Sequence, residues 1–177
     1  MMNPLIDKRH LKEYILFGLI AAVLYCVMLF FHLRSGDYKS SYLLYIGNVL
    51  FGAAIFIYNM QLIKRPYDEQ RATSMLIAAH VTAAIGTAFS VIFCIVMMTI
   101  FHPEIFSAGP SDTGLANAPA NTQLKAPSGW LMMVCINALL INFSVGSFLS
   151  IMVSYAGKRN QTKDKPTDLS KHVPDKK

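Results

Sequence analysis

Long charge-free runs alternate along this chain with short charged ones. Ala72–Pro103 contains no Asp, Glu, Lys or Arg, and an apolar run of that length predicts a membrane-spanning helix. Tyr14–Leu33 is a second run, 20 residues without a formal charge. At ~1.5 Å per residue it is enough to cross a ~30 Å hydrocarbon layer. Two further runs follow the same logic. The expected spans are 14–33, 40–63, 73–101 and 128–156, and the expected fold is all-α: an integral-membrane four-helix bundle, antiparallel and up-down. Lys64-Arg65-Pro66 stops the second span, because proline cannot continue the helix and the charges stay in water.

The connections read differently. Residues 1–13 are short and basic. Residues 102–127 hold Pro110, Pro119, Gly109 and Gly114 among many Ser, Asn, Thr and Ala, which predicts an exposed outer loop with no core of its own. Residues 157–177 are polar and basic and are expected to be a disordered tail.

Composition narrows the class. Of 177 residues, 54% are hydrophobic and 15% charged, against ~25% charged in average soluble domains. The length suits one bundle and no second domain. The net charge of +6 sits mainly in the termini and one short loop. No basic residues interleave with aromatics on a soluble face, so nucleic-acid binding is not expected. The lipid bilayer is the expected partner.

Charge also sets orientation. The N-terminus, second loop and tail carry 3, 3 and 7 Lys or Arg, against 2 and 1 in the first and third loops. The positive-inside rule then puts both termini in the cytoplasm. The compact four-span layout points to a multi-pass protein of a bacterial inner (plasma) membrane.

Lipid offers no hydrophobic force between helices, so small and polar residues must hold the spans together. The third span has them at every fourth position: Ala78, Thr82, Gly86, Ser90 and Cys94. The fourth span offers Asn142, Gly146, Ser150 and Ser154. The second puts Asn48, Gly52 and Asn59 on one face, and the first offers Gly18, Ala22 and Tyr25. Packing is the simpler reading of these rows, with Asn and Ser bonding across helices at ~0.6 kcal/mol each. A polar pathway for a solute is the functional one, but no Asp, Glu, Lys or Arg lies within any span, as a charge-coupled carrier would need.

Few residues could carry chemistry. His80 is well inside the third span, and an intramembrane ionisable residue is a functional candidate by default. The structural reading has it neutral and bonded to a neighbouring helix, so that leucine there would cost a bond. The three cysteines make no CxxC pair, so a disulfide framework is not indicated. Cys26, Cys94 and Cys135 are nevertheless expected at one depth, ~10 Å from the outer surface at 1.5 Å per residue. Cys94, Met98, His102, Cys135 and His32 could together take Cu(I), or haem between His32 and His102. The opposing reading is that Cys and Met are ordinary apolar fillers, with no bound cofactor.

Enzyme signatures are absent: there is no phosphate loop, HExxH, G-x-S-x-G or paired carboxylates. Tyr14-Ile-Leu-Phe-Gly18, the Lys64-Arg65 stop, the Pro103-Glu104-Ile-Phe106 turn and the Lys158-Arg159 stop carry a resemblance. In layout the chain resembles small four-span bacterial membrane families of unknown function. The resemblance implies the fold and no activity. The expected role is non-enzymatic, through self-association or as an accessory subunit of a membrane complex. The alternative is small-solute or metal handling.

Overall fold

A computed structural model of the chain describes residues 8–64, 72–106, 115–119 and 127–163. The expected disordered tail beyond residue 163, and the loop at 107–114 and 120–126, lie outside the described residues. The elements are α1 (Lys8–Ser35), α2 (Tyr42–Ile63), α3 (Ala72–Phe101), α4 (Pro127–Ile136) and α5 (Asn142–Lys163). A π-helical turn, Asn137–Ile141, joins α4 to α5, so these two form one rod. Counted that way, four helices are long and apolar enough to cross a membrane. Among the described residues there is no strand, only an isolated bridge between Asp37 and Ala116.

Local chemistry ends the helices. Gly36 follows α1 at φ +60° and donates its N–H to His32 O at 3.2 Å. That left-handed cap suits a residue without a Cβ. Asp37 then accepts from Lys39 N at 2.9 Å and starts the 3₁₀ turn Tyr38–Ser41 that leads into α2. α3 stops at His102-Pro103, because the residue before a proline is pushed out of the helical region.

The π turn is a departure from the uninterrupted fourth span that the sequence predicts. Trp130, Val134, Ala138, Asn142, Gly146, Ser150 and Ser154 are all buried. In a regular α-helix a row at spacing four turns away by ~40° per step. The wider π turn takes back part of that drift and keeps the row on the bundle side.

α1 packs on α2 and α3, and α5 packs on the same two helices. Backbone approach is closest at Gly18 and Gly86. A Cβ at Gly18 would stand 3.0 Å from Gly86 N, and one at Gly86 would stand 3.0 Å from Gly18 O and from the Phe51 ring. A Cβ at Gly146 would meet the Ala83 side chain at 2.8 Å. The faces toward the centre hold Ala78, Thr82, Gly86, Ser90 and Cys94 of α3, and Asn48, Gly52 and Asn59 of α2, all buried. Away from it each helix exposes large apolar residues, such as Leu16, Val49, Ile92 and Phe148. Two core clusters result, a larger one around Tyr25, Phe51, Met98 and Trp130 and a smaller one around Tyr14, Tyr58 and Met75.

Two expectations are corrected. The hydroxyls of the small-residue rows do not bond across helices. Thr82 donates to Ala78 O, Ser90 to Gly86 O and Ser150 to Gly146 O, each one turn back. A short hydroxyl reaches its own i−4 carbonyl without any neighbour. The third loop also contributes to the core. Leu115 is buried, and the chain there is tied down by Tyr38 N to Ala116 O and Ala116 N to Gly36 O. Asn117, at φ 56°, donates to Asp37 Oδ2 at 3.1 Å. The average polarity of that stretch hides one apolar side chain with a place to go.

Candidate functional site

The described polar side chains concentrate at the Trp130 end of the bundle. His32 ends the buried stripe of α1 and is fully buried. Trp130 approaches it from α4, with Nε1 3.4 Å from His32 Nε2. Indole N–H can only donate, so His32 Nε2 accepts and the ring proton belongs on Nδ1. Nδ1–H then donates to Ser40 Oγ at 2.7 Å, and Ser40 donates to Asp37 O at 2.6 Å. The chain of donors runs in one direction, and His32 is neutral within it.

His102 stands beside the same indole, with ring centroids 4.3 Å apart. Its Nε2–H donates to Leu33 O at 3.3 Å. That carbonyl is in the last turn of α1, where acceptors lack helical partners. Its Nδ1 faces Glu104 Oε1 at 3.0 Å. The Glu104 carboxyl is held below its usual range, first by a hydrogen bond to its own backbone and then by His102. Both His102 nitrogens thus face acceptors.

Below this group lie the sulfur atoms. Cys94 Sγ and Cys135 Sγ are 3.5 Å apart, and Cys26 packs against the same cluster with Met98 in its core. Tyr25 crosses beneath and donates to Asn137 Oδ1 in the π turn at 3.1 Å. Deeper still, the amides of Asn48 and Asn142 and the Thr87 hydroxyl are buried and make no hydrogen bond. The glycine contacts set their level. Phe51 fits against Gly86 and Gly146, and one turn toward Tyr25 from Gly52, Ala83 and Gly146 stand Asn48, Thr87 and Asn142. The Asn59 amide is buried without a partner near the other end of α2.

The sequence candidates therefore divide. Cys94, Cys135 and Met98 share one cluster, and His32 and His102 share one indole. The imidazole nitrogens of His32 are both engaged, by Trp130 and Ser40, and neither faces a sulfur ligand. Among the described residues no three His, Cys, Asp or Glu side chains group as a metal site. His80 belongs to neither group. It is half-buried, and its Nδ1 bonds Leu76 O in its own helix at 2.8 Å. The expected bond to a neighbouring helix is not made, because the carbonyl one turn back is nearer. By sequence Trp130, an aromatic near one end of the fourth span, is expected at the headgroup level. Its ring is 2% exposed and lies inside the bundle. An indole N–H placed among apolar neighbours requires an acceptor, and that requirement was the available signal for His32.

No protein-family model, curated protein or solved structure matches this chain.

Proposed function

We propose that this chain is an antiparallel, up-down bundle of a bacterial inner (plasma) membrane with both termini in the cytoplasm. Its role is non-enzymatic. It acts by contact with other transmembrane helices, either its own copies or subunits of a larger membrane complex. The excess of Lys and Arg in the N-terminus, second loop and tail supports the orientation.

One observation carries the contact reading. His80 is half-buried, and Ala84 and Ala88 follow it at spacing four, both exposed. This is a second small-residue row on α3, turned away from the bundle. Small residues on a lipid-facing row permit the close approach that membrane helices need. His80 Nδ1 is engaged with Leu76 O, so Nε2 is an acceptor, and in lipid an acceptor gains from a donor on a second helix. The test is crosslinking in native membranes followed by purification in mild detergent. Wild type should carry a crosslinked partner, or a second copy, that Ala84→Leu loses while the variant stays folded. A single chain with no crosslinked partner in either protein would refute the reading.

A further inference from the structure

We propose that Cys94 and Cys135 form a reversible disulfide site that locks the third span to the fourth. The two sulfurs come from α3 and α4 and lie 3.5 Å apart. A disulfide needs ~2.05 Å, so rotation of the two side chains must close only about 1.5 Å. Cys26, the remaining cysteine, lies in α1 within the same cluster but makes no sulfur contact of this kind.

The surroundings say which reagent can reach the pair. Cys94 is fully buried and Cys135 is half-buried. α4 exposes Met132 and Ile136 on either side of Cys135, and these are the apolar residues a bilayer would cover. The oxidant is therefore a lipid-soluble two-electron acceptor, of the quinone or diazene class. In the step both S–H bonds break and one S–S bond forms. Two electrons and two protons pass to the acceptor, which leaves as the hydroquinone or the hydrazine. A membrane-permeant dithiol reverses it, leaving as its own cyclic disulfide.

The location gives the bond a consequence. Cys135 lies two residues before the π turn, and Tyr25 holds that turn through Asn137. Oxidation would tie α4 covalently to α3 on one side of the turn and add no covalent tie to α5, which is packed on α2 and α3, on the other. The inference needs neither membrane orientation nor the contact role proposed above.

The experiment uses the full chain in membrane vesicles, with diamide as the membrane-permeant diazene probe. After treatment the protein is denatured, its free thiols are labelled with a high-mass maleimide, and the bands are counted. The chain has three cysteines. Wild type should fall from three labelled thiols to one, with the link mapped to Cys94 and Cys135 within one chain, and dithiothreitol should restore three. Cys26→Ser should fall from two to none. Cys94→Ser and Cys135→Ser should each keep two. Retention of three thiols in wild type, a link that uses Cys26, or a link between chains would overturn the proposal. The wild-type and Cys26→Ser arms decide it even if a serine variant at the pair fails to fold.

Discussion

Replacing Gly86 by leucine tests the packing most directly. A Cβ there would lie 3.0 Å from Gly18 O and 3.0 Å from Phe51 Cε2, against 3.4–4 Å for ordinary contact. Two of the barriers differ in kind. The Phe51 ring can tilt, but Gly18 O is backbone, so relief requires α1 to move off α3. Alanine at this position needs a shift of a few tenths of an ångström. Its better helix propensity, worth ~1 kcal/mol, offsets part of that, and the net loss should stay below ~1 kcal/mol. Leucine adds three carbons beyond the Cβ and must part the helices. Overpacking of this kind costs ~1–3 kcal/mol. We expect the upper end, because in lipid close packing is itself the main attraction between helices. Ile77, 41% exposed on the opposite face of α3, is the control, and Ile77→Leu should change stability by less than ~0.5 kcal/mol. The assay is built in. Trp130 is the one tryptophan and is buried, so its fluorescence reports unfolding during titration of mild detergent with dodecyl sulfate. Equal midpoints for Gly86→Leu and wild type would refute the Gly18–Gly86 crossing.

Other perturbations separate the remaining roles. His80→Leu should leave stability within ~0.5 kcal/mol in the same titration, since Leu76 O keeps its backbone bond. His32→Leu should cost ~1–3 kcal/mol, the penalty for a buried indole N–H left without an acceptor, and a blue-shifted Trp130 emission from the folded protein should accompany it. The His102–Glu104 contact should weaken with acid. The Glu104 carboxyl is depressed below 4.5, so the stability it adds is present above that pH and declines as pH falls through the lower folded value. Glu104→Gln should remove this acid limb from the pH dependence of the unfolding midpoint. Reporter fusions after Lys64 and after Lys158 should read as cytoplasmic and fusions in 107–121 as external, and the reverse pattern would sink the proposed orientation.

The helices were legible because charge is costly in hydrocarbon, and a run such as Ala72–Pro103 has no other comfortable environment. The inward rows were legible for a related reason: Gly86 and Gly146 are poor helix formers that only a close neighbour justifies. Partner choice was not legible. Trp130 meets His32 across 98 residues and Tyr25 meets Asn137 across 112, whereas the common depth of Cys94 and Cys135 was readable from their positions in the spans. The first two pairings depend on how far one helix slides along another, and periodicity along a single helix carries no information about that slide. The π turn was hidden likewise, since it answers a row whose drift matters only once α2 and α3 are in place.

The same limit applies to what the polar residues do. A serine, a threonine and an asparagine in a span read alike as glue between helices. Geometry then sorts them by the partners they meet. Thr82, Ser90 and Ser150 have short side chains and satisfy themselves on their own helix, so they contribute small volume and no cross-helix bond. Asn48 and Asn142 are longer and buried in α2 and α5, and their amides make no hydrogen bond. Such groups cost ~1–3 kcal/mol each when left without partners. A bundle that needed only tight packing would do better with alanine at both positions. Buried polar groups without partners stand in the layer of Asn48, Thr87 and Asn142 between Phe51 and Tyr25, and again at Asn59 near the other end of α2.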